Sequence, residues 1–218
     1  MQHCRRRISR TALRGERTPA ETATLAGLAA DCRMTDHTGS KPAPGRLRLI
    51  QAFVNSAEPG REDFGSAADV RGWLLERELI DADARVDDED VRPVREAREA
   101  LRSMLLANNG ARPDVAALET LERLTRRSRL TLRFQPDGSA VLAADASGIE
   151  GALGTLFAIA FEAMIEGSWR RLKACPDDGC KWAFFDNSRN SSGTWCTMST
   201  CGNRQKARHY RDRKRSQQ

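Results

Sequence analysis

The hydrophobic period of the chain changes several times, and each change marks an element. In RLRLIQAFVNS (46–56) apolar residues crowd at the density of a strand, with Asn55 and Ser56 closing the run. A helical period follows in SAADVRGWLLERELI, where Val70, Trp73 and Leu74 share a face. Ser66 is a good N-cap there, and Asp69 three residues on approximates a capping box. DEDVRPVREAREALRSMLLANNG keeps that period through Val94, Arg98, Leu101 and Leu105. Its acids come early, Pro93 suits a first turn, and Asn-Asn-Gly is a stop. RPDVAALETLERLTRRS repeats the pattern through Val115, Leu118, Leu121 and Leu124.

RLTLRFQPDGSAVLAA turns to period two. Leu130, Leu132 and Phe134 alternate, QPDGS turns, and Val141 and Leu142 resume, which predicts a hairpin. SGIEGALGTLFAIAFEAMIEGSWRRLKA is then a long helix, apolar around much of its circumference. Leu153, Leu156, Phe157, Phe161, Met164 and Ile165 are its expected core positions, and Gly148, Gly151 and Gly154 fall at a spacing that eases close packing. The pattern predicts an α+β fold: a mostly helical body with a small antiparallel sheet. No repeat of 20–50 residues is visible.

Length and charge add an organisation. A chain of 218 residues has room for one modest domain and an appendage. Net charge is +6, and it is unevenly spread: seven cations against three acids in 1–33, 20 against 23 in 34–174, and nine against four in 175–218. Residues 1–33 read as a basic, disordered extension, with Met34 as an alternative start. Residues 34–173 read as the body and 174–218 as a small terminal module. Two basic ends around a mildly acidic body suggest a polyanionic partner. No apolar run approaches the roughly 20 residues of a membrane span, and the N-terminus lacks a secretory h-region. A cytoplasmic protein without a membrane partner is expected, although an organelle transit peptide would look similar.

The cysteines supply the chemistry. Cys175, Cys180, Cys196 and Cys201 form C-x4-C, fifteen intervening residues, and a second C-x4-C. Two short pairs at this separation predict one structural zinc ion held by four thiolates. Two disulfides or free buried thiols are the alternatives, and disulfides fit poorly with the absence of an export signal. Four protein ligands leave no open position for catalysis by the metal. Cys4 and Cys32 lie outside the pattern and have no assigned role. Trp182, Phe184, Phe185 and Trp195 lie between the pairs, and a unit of about 40 residues needs them as core. They could instead stack on bases.

After the second pair, Ser199 or Thr200 can cap a helix running through Cys201 to about Arg215. Asn203, Ala207, Tyr210 and Lys214 would form its inward stripe. Arg204, Lys206, Arg208, Arg211, Arg213, Lys214 and Arg215 are the candidate nucleic-acid contacts, seven cations against the single acid Asp212. Gly202 would let the backbone pass close to a metal-bound sulfur. Asn203 and Arg204 could equally brace the knuckle.

The stretch CPDDGCKWAFFDNSRN…WCTMSTCGNRQKARHYRDR resembles the CGNR zinc finger, whose tetrapeptide is Cys201-Gly202-Asn203-Arg204 here. The body resembles the ABATE domain through FVNS (53–56) and SAADVRGWLLERELI. The resemblance implies an α+β body, a treble-clef-like zinc module and a role among bacterial stress-responsive transcription regulators, with the four cysteines as the zinc ligands. One departure is NSSGTWC, where such proteins usually carry further arginines, so this loop is assigned no DNA contact.

The expected function is therefore that of a DNA-binding transcription regulator, its body sensing a signal, with a small-molecule effector placed near Asn55 or Asn55 acting simply as a hydrogen-bonding residue. The alternatives are an RNA-binding or ribosome-associated protein, and a module that binds an acidic protein. An enzyme is not expected: His3, His37 and His209 stand apart, and no H-x-E…P-C-x-x-C arrangement, phosphate-cradling loop or nucleophile elbow occurs.

Overall fold

The computed structural model describes residues 42–216. The expectations for 1–33, Met34, Cys4 and Cys32 lie outside the described residues. The first described element corrects the sequence reading: Leu47–Val54 is a helix (α1), not a strand. Six of its eight residues are buried, Gln51 among them. A helical period is present, with Leu47, Ile50 and Val54, and Leu49 and Phe53, recurring every three or four residues, but the element is short and dense in apolar residues, and length alone does not separate such a run from a buried strand. A minimal hairpin follows, pairing Ala57–Glu58 (β1) with Arg61–Glu62 (β2). It leads to Phe64, which packs with Phe53 and Trp73 at centroid separations of 5.5–5.7 Å.

The next three helices form where the periodicity places them. Ala67–Glu76 (α2) starts at Ser66, whose Oγ accepts from the Asp69 N–H at 3.3 Å and donates to the Asp69 carboxylate at 2.7 Å. Asp88–Asn108 (α3) starts with a capping box made by Asp87 and Asp90. Because it begins at these acids, Pro93 is its sixth residue rather than part of the first turn. The bond Pro93 cannot make falls to the carbonyl of Glu89, an exposed residue that water can reach. Val94, Leu101 and Leu105 are buried as the spacing requires. Arg98 is buried with them, its two Nη atoms reaching the two carboxylate oxygens of Glu62 at 2.6 and 2.7 Å.

Val115–Ser128 (α4) is capped by Asp114 and ends at Arg129 in the left-handed region. Its apolar stripe is covered only toward the C-terminus. Leu124 is buried and Leu121 half-buried, whereas Val115 and Leu118 are exposed. Leu130–Phe134 (β3) pairs with Ala140–Ala144 (β4) as a hairpin, in register from Leu130↔Ala144 to Phe134↔Ala140. Burial fades toward its tip, where Phe134 is 78% exposed.

Gly148–Ile165 (α5) is the central helix, packed against α1, α3, α4 and β4. It is long and apolar enough to cross a bilayer, yet ten of its residues are buried within the protein. Two of its glycines permit close packing as expected. A Cβ at Gly154 would stand 2.6 Å from that of Ala144 and 2.8 Å from that of Ser128, and one at Gly151 would meet the Ala146 carbonyl at 2.3 Å. Gly148 instead has a φ of +60°. Leu153, Leu156 and Phe157 are core, but Phe161, Met164 and Ile165 are exposed. A helix apolar on every side carries no periodic signal of which side faces inward.

A short 3-10 turn (Trp169–Arg171) leads into the last hairpin, Leu172–Ala174 (β5) paired with Ala183–Phe185 (β6). The hairpin divides by alternation. Leu172, Ala174, Ala183 and Phe185 join the body's core, whereas Phe184 joins the cluster around the cysteines. One face of this hairpin thus packs on the body's core and the other on the cysteine cluster. Among the described residues the fold holds six α-helices and three two-stranded antiparallel sheets.

Candidate metal centre and basic helix

Cys175 follows β5 directly, and its N–H donates to the Trp182 carbonyl at 2.9 Å. The chain returns to β6 through a tight loop organised by Asp177. The Asp177 carbonyl accepts from the N–H groups of Cys180 and Lys181, and its carboxylate accepts from the Gly179 N–H at 3.2 Å. Lys181 completes the turn with a φ of 58°. Cys196 arrives after a second loop. Cys201 sits inside a π-helical turn, Met198–Gly202, which runs into the terminal helix Asn203–Arg215 (α6).

All four sulfurs are buried and lie within 4.8 Å of one another. Cys180 and Cys196 are 3.5 Å apart and Cys196 and Cys201 3.6 Å. Both separations are too long for a disulfide bond of ~2.05 Å. They are close to the ~3.8 Å edge of a sulfur tetrahedron whose vertices lie ~2.3 Å from its centre. Thiols this close cannot all ionise unaided. Cys175 is drawn down to about 2 by hydrogen bonds from Cys180 and Cys196, and those two are raised by the same bonds. Burial, and then the charge on Cys175, push Cys201 up to about 12. A divalent cation among the sulfurs resolves the conflict by stabilising every thiolate. The donor set and its geometry fit one structural zinc ion held by Cys175, Cys180, Cys196 and Cys201.

The aromatics take the core role. Trp182 and Phe184 are buried against the cysteines, Trp195 packs on them half-buried, and Phe185 packs on the body. Sequence reasoning missed how the loop between the cysteine pairs is tied. Lys173 and Asp186 form a buried pair at 2.8 Å. Lys173 also donates to the carbonyls of Ser191 and Gly193, and Asp186 accepts from the N–H groups of Ser188 and Gly193. Burial opposes the charge on Asp186, but these donors outweigh it and hold the carboxyl at about 2. A Cβ at Gly193 would fall 2.8 Å from the carboxylate, so the glycine was a readable signal of this close approach.

Several details of the helix differ from expectation. No side chain caps α6: the π turn feeds it directly, with Asn203 Nδ2 donating to the Ser199 carbonyl at 3.1 Å. Gly202 makes room for Met198 and Trp195 rather than for a cysteine sulfur, since a Cβ there would stand 2.5 Å from the Met198 sulfur. Arg204 braces the knuckle, donating to the fully buried Asp177 carboxylate at 3.0 Å. The expected inward stripe does not exist, because Asn203, Ala207, Tyr210 and Lys214 are all exposed. Lys206, Arg208, Arg211, Arg213, Lys214 and Arg215 are exposed too, and none of them forms an ion pair among the described residues. Arg208 acts at longer range, adding to the stronger pull of Lys181 that lowers the Asp178 carboxyl.

Asn55 is no ligand site. It is buried at the end of α1, where its Oδ1 accepts from the Ala183 N–H at 2.7 Å and its Nδ2 donates to the Ala183 carbonyl at 2.9 Å. The hydrogen-bonding alternative holds, with a partner far along the chain.

Comparison with known families agrees with this architecture. The model of the ABATE family, described as a putative stress-induced transcription regulator, matches residues 47–166. The CGNR zinc finger model matches residues 171–214. No curated protein matches the chain.

Proposed function

This chain belongs to the ABATE family and carries a CGNR zinc finger, and from that premise we propose that it is a DNA-binding regulator whose helix α6 docks on duplex DNA. One observation carries the reading. Six exposed cations project from a helix with no buried side chain among its described residues, while its first turn is fixed by Cys201 and the Arg204–Asp177 pair. Guanidinium and ammonium groups presented in this way suit phosphate oxygens and, for arginine, guanine edges. Arg204 leaves the set of direct contacts and acts by orienting the helix. The chain then works by binding rather than catalysis, since a closed four-sulfur site offers a substrate no open position.

Signal sensing would belong to the body. With Asn55 occupied, one candidate place for an effector is an open groove of about 540 Å³ whose walls include Ser66, Asp88, Arg92, Arg95 and Glu99. Helix α3 lines that groove near its N-terminus.

The test is binding of the zinc-loaded protein to a random duplex pool across a salt series. If about five phosphates are neutralised, log affinity falls against log salt with a slope of roughly −4.5. Replacing Lys206, Arg208 and Arg211 with Ala should flatten the slope by about three contacts' worth. Absent or salt-independent duplex binding would overturn the proposal. Selective retention of RNA, or a complex with an acidic protein that survives nuclease, would favour the alternatives.

A further inference from the structure

The backbone beside the zinc ligands is held by side chains that belong to the body. Asn109 Nδ2, at the C-terminal end of α3, donates to the carbonyl of Ala174 at 2.9 Å and to that of Thr194 at 2.7 Å. Ala174 immediately precedes Cys175, and Thr194 lies two residues before Cys196. Arg102 Nη1, two turns earlier on α3, donates at 2.9 Å to the carbonyl of Lys181, the residue after Cys180. Arg102 is itself fixed: it is buried, and its Nη2 donates to the carbonyls of Val54 at 2.6 Å and Ala57 at 3.0 Å. Asn55 then clamps Ala183 through both its N–H and its carbonyl.

We infer that Asn109, Arg102 and Asn55 are positioning residues for the zinc centre, so that the body holds the backbone flanking three of the four thiolates in the geometry the metal needs. The terminal module is too small to do this alone. Its own cluster is four cysteines, Trp182 and Phe184, with Trp195 packed on it. Lys181 occupies a conformation that residues other than glycine avoid, and such a turn persists only where its surroundings enforce it. Arg102 and Asp177 supply that enforcement, the first donating to the Lys181 carbonyl and the second accepting from its N–H. Loops pre-ordered by the body need not be ordered by the ion, so more of its binding free energy appears as affinity. Groups beyond the ligands commonly change metal affinity by about 10–100-fold when removed. The inference concerns metal retention and stands apart from any contact with nucleic acid.

The experiment uses the full-length, zinc-loaded protein and follows zinc transfer to a chromogenic chelator. In parallel, cobalt-substituted protein reports the ligand field by its visible absorption, and far-UV circular dichroism reports the body. Asn109→Ala and Arg102→Lys should release zinc about 10–100-fold faster and alter the cobalt bands, with the helical signal kept. Asn108→Ala is the comparator. It removes bonds from the neighbouring residue to the carbonyls of Trp169 and Leu172, neither of which adjoins a cysteine. Its release rate should match the parent. Parent-like release and spectra in Asn109→Ala would overturn the inference. So would equal acceleration by Asn108→Ala and Asn109→Ala, because the effect would then be a general loosening of one helix end.

Discussion

Helices α5 and α6 are opposite solutions to the same problem. Helix α5 has two acids and no cation, and ten of its eighteen residues are buried by neighbouring elements. Helix α6 has seven cations in thirteen residues and no buried side chain described. An isolated helix of that length is marginal in water. Helix α5 is therefore stabilised by the protein it organises. Helix α6 is anchored at its beginning, through a metal-binding cysteine and a buried carboxylate, and past Gln205 its described side chains are exposed. The same division separates buried from surface charge. Arg98 and Arg102 have their guanidinium groups occupied inside the body, whereas the cations past Arg204 have no ion-pair partner among the described residues.

The largest expected effect breaks the α6 side. Chelating the metal, or changing Cys196 to Ser, removes a contribution on the order of 10 kcal/mol to the folding of such a module. Fluorescence of the buried Trp182 should shift while amide protection in α5 survives. Simultaneous loss of both would show that the two regions fold as one unit.

The next effect breaks the α5 side. Leu156→Ala should cost about 2–5 kcal/mol in denaturant unfolding, because the side chain is fully buried and its neighbours relax only partly. A change below 1 kcal/mol would mean that α5 is not the centre of the core.

A smaller effect sharpens the charge comparison. The Arg98 hydrogen bond holds the Glu62 carboxyl below its ordinary value of 4.5. A depressed carboxylate stabilises the fold fully above that value, and the contribution is lost as pH falls through the lowered one. Glu62→Gln should therefore cost about 1–2 kcal/mol near neutral pH, with a difference from the parent that shrinks on acidification below pH 4.5. A difference independent of pH would assign the cost to packing instead.

The smallest effect on stability is at α6. Arg211→Ala should change unfolding by no more than about 0.5 kcal/mol, while weakening duplex binding and reducing its salt slope by about one unit. A markedly destabilised variant would mean that the helix is not a free surface.

The metal ligands were legible because four thiolates on one ion require pairs at short spacing, and spacing is written in the chain. The hairpin at 130–144 and the cap at Ser66 were legible for a similar reason, since each is enforced by neighbours within a few residues. Helix α1 was misread although its apolar residues do recur every three or four positions, because eight residues so rich in apolar side chains also fit a buried strand. The outward positions of Phe161, Met164 and Ile165 were not legible either, because periodicity offered no preference.

Local spacing along the chain was enough for the zinc site, the charge of the terminal helix and most of the helical elements. That Arg204 serves Asp177 and that Asn55 serves Ala183 came from the fold alone. Those outcomes depend on residues between 27 and 128 positions apart being brought within hydrogen-bond reach. No local pattern encodes such a meeting; it exists only once the core has set where each backbone runs.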